Sequence, residues 1–468
     1  MPDGVAPTRA NHVSDILKTL YNACDPSKPA SPQQYLDLTA ARGSDALTQD
    51  CGRRLRLANN TLRFLFTGHI GSGKSSELLA LSRALHNPGT GAKRYLPVVV
   101  DASDYLDDYD ADIPDLLLVI VTELAETLRE QAGIELKEHE LVRRFQGLTS
   151  FLGREVDTDG VEIPLPKIKI QLLKRDPTAR DTVRKAVESR QSAVLEEVND
   201  LLALARLRLK QKVVEPAYAD VVLIIDNLEK IRRFGGKAEG HESQRELFLE
   251  RAPQLTGINA HVVYTVPLPL AHHYGRQLEQ RFGGPLLVLP MVKVVERETL
   301  GSCRSGLACL QELLRRRLSG IALEEVFEPP ALEFLLKYSG GHVRTLMTFI
   351  QASCTYTDVT PIPLRAAQRA VQQGVRTYST AIREAHWEKL ARLELSPDRK
   401  IDNGDVDYLA MLENLSILEY RNSDSDEDVF EDAEPWFVVN PVVRELQRFK
   451  AAVTRLRNAS PSAPESTQ

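Results

Sequence analysis

The sequence has few cysteines, no long apolar segment and no excess of basic residues over its 468 positions. Its five cysteines lack metal-ligand spacing, and we expect them to be reduced packing thiols. No segment approaches the ~20 apolar residues that a membrane span requires, and the N-terminal residues contain no apolar run of signal-peptide length. The sequence therefore predicts a cytoplasmic protein without membrane contact.

The net charge of -6 also excludes a global basic field that would draw the chain onto nucleic acid or anionic lipid. What the sequence does contain is 43% hydrophobic residues, enough for a sizeable core in about two to four domains. Short apolar runs alternate with helical patterns, which predicts an α/β fold with a parallel sheet. The five candidate strands lie at 61–68, 95–106, 219–230, 260–270 and 284–294.

A phosphate-binding motif directly follows the first candidate strand. Residues 68–75, GHIGSGKS, fit the pattern G-x-x-x-x-G-K-[ST] at every fixed position. Its glycines allow the backbone N–H groups to approach phosphates, Lys74 is expected to bridge the β- and γ-phosphates, and Ser75 is expected to bind Mg²⁺. The predicted nucleotide-binding residues are Gly68, Gly71, Ser72, Gly73, Lys74, Ser75 and Ser76.

A magnesium partner is expected at Asp226, which ends the apolar run VVLIID, although a strand-terminal turn aspartate is the alternative. The next residue is Asn227, whose amide can orient water but cannot accept its proton. Two alternatives follow from that amide. Either hydrolysis is slow, or Glu229, two residues later, serves as the base.

Three further residues are weaker candidates. Thr265, at the end of the next strand, could sense the γ-phosphate or be an ordinary buried strand threonine. Arg276 and Arg281 precede the fifth strand, where an arginine could reach the nucleotide of a neighbouring subunit. Solvated surface arginines are the alternative for both.

The chain divides into five predicted regions. After a helical lead-in at 1–57, the P-loop ATPase core occupies 58–296, with an insertion at about 134–215 that contains a possible hairpin at 162–173 and a long amphipathic helix at 179–209. A helical lid is predicted at 297–380. Residues 381–450 have the helix–strand–strand–helix order of a winged helix, and the tail at 451–468 is predicted to be disordered.

These motifs resemble the AAA+ and STAND branch of P-loop ATPases, and over residues 58–450 the layout is similar to the origin-recognition and STAND-like clade. GHIGSGKSSEL resembles the Walker A loop of that branch and LIIDNLEK its Walker B strand, while SGGHVRTL at 339–346 resembles its second sensor. The resemblance implies ATP and Mg²⁺ as ligands, with Arg344 contacting the γ-phosphate. Asn227 departs from the usual acidic residue, and the insertion of roughly 80 residues is longer than ordinary loops.

The predicted winged helix is poor in basic residues. Its wing segment contains seven carboxylates between 423 and 436, and the candidate recognition helix at 405–414 contains three and no basic residue. Such charges repel a phosphate backbone, so DNA binding is possible but disfavoured relative to a protein-contact or autoinhibitory role. A solvated acidic loop remains an alternative. The densest basic group, at 174–185, could contact a polyanion or be a solvated helix face.

The first functional hypothesis is therefore an ATP-driven switch that hydrolyses slowly and signals to a homo-oligomer or a protein effector. The alternatives are a DNA-associated, initiator-like ATPase and a nucleotide-binding module that does not hydrolyse.

Overall fold

The computed structural model describes residues 9–44, 47–89, 92–136, 177, 191–233, 241–422 and 434–459. They form two compact units, each with its own hydrophobic core. The sheet unit comprises Leu47–Thr67 and Glu77–Leu287, and the loop unit comprises Met1–Ala46, Gly68–Ser76 and Val288–Gln468. This division differs from the predicted boundaries, which placed all of 58–296 in one core.

The sheet unit is built on five strands, the number that the sequence predicted, and their order is β2-β3-β4-β1-β5. The pairings of β2 with β3, β3 with β4 and β4 with β1 are parallel. The end of β3, from Val221, is buried, which is typical of a parallel sheet covered by helices. The strands are β1 (Arg63–Gly68), β2 (Arg94–Asp101), β3 (Tyr218–Asp226), β4 (His261–Thr265) and β5 (Leu286–Leu289).

The helices account for most of the remaining regular structure. In chain order the described ones are α1 (Arg9–Ala23), α2 (Thr39–Arg42), α3 (Leu47–Leu57), α4 (Lys74–His86), α5 (Ala102–Tyr105), α6 (Ile113–Ala132), α7 (Gln191–Gln211), α8 (His241–Arg245), α9 (Ala252–Thr256), α10 (Leu268–Phe282), α11 (Arg304–Leu318), α12 (Leu323–Val326), α13 (Pro329–Tyr338), α14 (Val343–Cys354), α15 (Leu364–Ala381), α16 (His386–Leu395), α17 (Val406–Glu413), α18 (Pro441–Arg444) and α19 (Gln447–Ala459). A 3₁₀ turn covers Leu228–Lys230, and a π-helical turn covers Glu246–Glu250. Of the helices so described, none is long and apolar enough to cross a membrane.

Helix α7, which lies in the predicted insertion, packs into the core of the sheet unit. It packs against β3 and α6, and Val198, Leu201 and Leu202 are buried there. The apolar face of the predicted amphipathic helix therefore covers the sheet. The first part of that helix (179–190) and the predicted hairpin at 162–173 lie outside the described residues.

The fifth strand is shorter than predicted, because it ends at Leu289 and Pro290 has no N–H to continue the ladder. Beyond it the chain pairs within the loop unit. Met291 N–H donates to the Glu419 carbonyl and Lys293 N–H to the Ala41 carbonyl, both at 3.0 Å. The apolar run from 291 to 294 therefore belongs to the core of the loop unit.

The C-terminal part of the loop unit contains the predicted lid helices, α11 to α15, and then a helix–hairpin module (residues 386–459). In this module β6 (Ile417–Tyr420) pairs antiparallel with β7 (Trp436–Val439), the order expected of a winged helix. The predicted recognition helix, α17, begins after Asp405, and Lys389 Nζ binds both Asp405 and Asp407. The acidic segment at 423–433 lies outside the described residues.

The tail prediction is wrong for residues 451–459, which continue α19. Phe449 and Ala452 are buried on this helix, which packs against α16. Apolar burial therefore holds the first part of the tail in a helix, and the Ser/Pro-rich segment begins only at the end of that helix.

Candidate nucleotide-binding site

The phosphate loop (residues 68–76) connects the end of β1 to the start of α4, so the strand and helix predicted on either side of it are both present. Gly71 and Gly73 have φ values of 91° and 112°, a backbone region that side chains disfavour. Among the described residues, the N–H groups of Gly71 and Gly73 have no hydrogen-bond acceptor. Such N–H groups beside a helix N-terminus suit an anion.

Lys74 lies within the loop that it is expected to serve. Its side chain is 5% exposed, and Nζ donates to the carbonyls of Gly68 at 2.9 Å and His69 at 3.2 Å. The ammonium charge is thus held beside the loop backbone. In a protein interior a lysine acts on phosphates as a point charge.

The serines of the loop have different surroundings. Ser72 is buried, and its Oγ has no hydrogen-bond partner in the described chain. Ser75, the predicted magnesium ligand, is half-buried. The Ser76 hydroxyl already accepts the Ala30 N–H at 3.0 Å, so the N-terminal segment supports the loop directly.

Arg42 is a residue that the sequence analysis missed. Although charged, it is 2% exposed, and it donates to the carbonyls of Ser72 (2.7 Å) and Pro290. A planar guanidinium with several donors can bind two carbonyls at once. Arg42 therefore fastens the loop to the segment that follows β5. A single arginine in a helical lead-in gives no sequence signal for this role.

The second-sensor motif places a histidine on the loop. His342 caps α14, its Nδ1 accepting the Thr345 N–H at 3.2 Å, so the proton lies on Nε2, which donates to the Ile70 carbonyl at 2.9 Å. Burial, together with the nearby charges of Arg344 and Lys74, lowers the pKa of His342 to about 3. The imidazole is therefore neutral at pH 7.

Arg344, the predicted γ-phosphate contact, also lies at the loop. Its backbone N–H donates to the Gly71 carbonyl at 3.2 Å, and its Nε donates to the Pro26 carbonyl at 3.3 Å. Pro26 belongs to the proline-rich segment before α2. The lid helix and the N-terminal segment thus both reach residues that the motif predicts to bind phosphate.

The sheet unit contains the remaining predicted site residues. Asp226 ends β3, is 5% exposed, and is paired in register with Asp101 at the end of β2. Asn227 has a left-handed φ of 64°, and its Nδ2 donates to Asp101 Oδ2 at 2.8 Å. The amide is therefore held by a structural hydrogen bond, which the sequence pattern did not indicate.

Glu229 lies near that turn in sequence, and Thr265 lies near it in space. Thr265 is fully buried, and its hydroxyl accepts the Leu228 N–H at 3.2 Å and donates to the Ile225 carbonyl at 3.4 Å. Glu229 is half-buried in the 3₁₀ turn. These bonds fit the interpretation of Thr265 as a strand threonine that fastens the β3 turn to β4.

Arg276 and Arg281 are both exposed on α10, and neither forms an ion pair with a described residue. This exposure is compatible with both the intersubunit and the solvated interpretation of the sequence.

The phosphate-loop residues fit a nucleotide phosphate. Gly71 leaves space beside the backbone that a side chain would fill, since an added Cβ would lie 2.8 Å from His342 Nε2. Lys74 contributes charge, and the N–H groups of Gly71 and Gly73 are available donors. The fold and the loop together define a P-loop protein of the α/β class.

No protein-family model matches the chain, and no curated protein sequence matches it. Among solved structures the chain is similar to Drosophila ORC bound to DNA, with 12% identity and a TM-score of 0.41 over 97% of this chain and 95% of that chain. It is also similar to the ADP form of the Aeropyrum pernix ORC2 protein (13%, 0.39, 94% and 98%) and to Cdc6p from Pyrobaculum aerophilum (12%, 0.33, 98% and 97%). The resemblance of the motifs to the origin-recognition and STAND-like clade stays a prediction.

Proposed function

We propose that this chain is a molecular switch that binds ATP with Mg²⁺ and hydrolyses it slowly. The observation that carries this proposal is the shape of the phosphate loop. Its left-handed glycines leave the N–H groups of Gly71 and Gly73 available, and Lys74 lies against the loop backbone. This arrangement suits a triphosphate rather than a single weakly charged group.

Each predicted residue has a role in the proposed reaction. Lys74 holds the β- and γ-phosphates, and Ser75 and Asp226 are the residues proposed to hold Mg²⁺, which supplies charge neutralisation there when bound. Arg344 contacts the γ-phosphate from the lid. Thr265 is retained as a weaker candidate sensor.

Slow hydrolysis follows from the residue after Asp226. Asn227 cannot take a proton from the attacking water, and its Nδ2 is engaged by Asp101. Glu229, two residues later, is therefore the proposed base. The lid and the helix–hairpin module would transmit the nucleotide state to a protein effector or a second copy of the chain.

Lys74→Ala tests the function. Because a hydrogen bond to a charged group contributes about 1.5–3 kcal/mol, we expect the affinity for a fluorescent ATP analogue to fall roughly 10- to 100-fold. Lys337→Ala is the matched control, since Lys337 is a half-exposed lysine paired with Glu333. Phosphate release should be slow in wild type and lost in Lys74→Ala. Unchanged affinity in Lys74→Ala would refute the proposal, whereas binding with thermal stabilisation but no phosphate release would leave a non-hydrolysing module.

A further inference from the structure

The second residue of the phosphate loop, His69, has its side chain in the helix–hairpin module rather than toward solvent. It is 2% exposed, its Nδ1 lies 3.1 Å from the Leu412 carbonyl, and its Nε2 lies 3.0 Å from the Glu419 N–H. A backbone carbonyl can only accept and a backbone N–H can only donate. The ring is therefore neutral, with its proton on Nδ1.

Both partners of His69 are fixed parts of the module. Leu412 lies in the last turn of α17, Glu419 lies in β6, and both are buried. The Glu419 carboxylate pairs with Arg421 at 3.1 Å, and its carbonyl accepts the Met291 N–H. His69 thus binds β6 at Glu419, a residue that Arg421 and Met291 also hold in place.

The backbone carbonyl of His69, unlike its side chain, binds residues of the phosphate loop. This carbonyl accepts the Ser72 N–H at 3.1 Å and the Lys74 ammonium at 3.2 Å. The same residue therefore connects the module, through its imidazole, to the lysine expected to bind phosphate, through its carbonyl. A histidine that only filled the core would not need to link these two groups.

We propose that His69 is a positioning residue that couples docking of the helix–hairpin module to the shape of the phosphate loop. Because the His69 carbonyl binds Lys74, we expect docking of the module to hold the loop in the shape that leaves the N–H groups of Gly71 and Gly73 available, and so to favour nucleotide binding. Because linkage is reciprocal, bound nucleotide must stabilise the docked module by the same factor. This inference rests on the proposed nucleotide-binding function.

Nucleotide affinity in the full chain tests the coupling first. We expect His69→Ala to bind a fluorescent ATP analogue about tenfold more weakly than wild type, within the usual range of coupling between sites. His386→Ala is the control, because His386 is an equally buried histidine of the same module that contacts Asp407 instead of the loop. Its affinity should match wild type, because the bonds of His69 to Leu412 and Glu419 are retained in this variant.

Hydrogen exchange provides a readout that a purely structural role would not change. In wild type, saturating ATP should slow exchange in a peptide spanning residues 415–422, which contains the Glu419 N–H. In His69→Ala the protection should be absent although nucleotide is bound. His69→Gln, whose carbonyl can accept the Glu419 N–H, should restore part of it and serves as the second variant if His69→Ala does not fold.

The outcomes separate the two proposals. If wild type binds no nucleotide, the proposed function and this inference both fail. If wild type binds nucleotide, and His69→Ala binds it with equal affinity and equal protection of residues 415–422, this inference alone is overturned.

Discussion

Asn227 has a structural role that bears on the chemistry of its neighbour. It is 6% exposed, adopts a left-handed backbone conformation that asparagine tolerates better than most residues, and donates its amide to Asp101. A carboxylate at the same place would face the Asp101 carboxylate, and two like charges within hydrogen-bonding distance of each other are unfavourable. The local structure therefore favours an amide where the resemblance leads one to expect an acid.

The charge argument predicts the effect of Asn227→Asp. The change removes a hydrogen bond to a charged group and adds repulsion, so we expect it to lower the free energy of unfolding by roughly 2–3 kcal/mol in denaturant titrations. The double variant Asp101→Asn with Asn227→Asp exchanges donor and acceptor and should recover most of the loss. A single variant as stable as wild type would contradict this account.

At the scale of elements, the phosphate loop is held in shape by segments from distant parts of the chain. Arg42 at the end of α2, Ala30 before that helix and His342 at the start of α14 each bind a loop residue. The loop is therefore a preformed element of the loop unit. Restraint of this kind lowers the conformational-entropy cost of ordering the loop when an anion binds.

Gly71 gives a direct test of this preformed shape. An alanine Cβ at φ 91° would lie 2.8 Å from His342 Nε2 and 2.9 Å from Arg344 Cβ, so Gly71→Ala must displace the lid contact. We expect the nucleotide affinity to fall about tenfold or more, because the Ile70–His342 bond and the loop shape are lost together. The measurement is again binding of a fluorescent ATP analogue.

Gly283→Ala is the matched control for this change. Gly283 also has a positive φ, of 63°, but an added Cβ there would meet no atom within 4 Å. It should cost about 1–2 kcal/mol of backbone strain and leave the affinity unchanged. Equal affinity in Gly71→Ala and Gly283→Ala would show that the lid contact does not shape the site.

The same elements show what could be predicted from the sequence. The phosphate motif and its flanking strand and helix are contiguous, so fixed spacing and apolar runs predicted them correctly. The restraints on the loop come from residues 30, 272 and 350 positions away in the pairs Arg42–Ser72, His342–Ile70 and His69–Glu419. No local period encodes such pairs. The motif SGGHVRTL predicted a role for Arg344 only, but His342, two residues earlier, also binds the loop.

At the scale of the whole molecule, the residues named in the proposed function are divided between the two units. The phosphate loop, His342 and Arg344 belong to the loop unit, while Asp226, Asn227 and Thr265 belong to the sheet unit. Neither unit alone contains both the phosphate-binding residues and the predicted magnesium aspartate. We therefore expect measurements of hydrolysis to be informative only on the full chain.

The exposed arginines of α10 predict how hydrolysis depends on protein concentration. If Arg276 or Arg281 completes the site of a neighbouring copy, phosphate release per subunit should rise with protein concentration. Changing both arginines to alanine should lower the rate of phosphate release roughly tenfold or more, because an arginine contributes mainly to transition-state charge stabilisation. Nucleotide affinity should be retained. Arg455→Ala is the control, since Arg455 is an exposed arginine on α19. The opposite result has two parts: phosphate release in wild type would not depend on protein concentration, and release would be equal in the double variant and the control. Both α10 arginines would then be ordinary solvated residues, and the catalytic groups would lie within one chain.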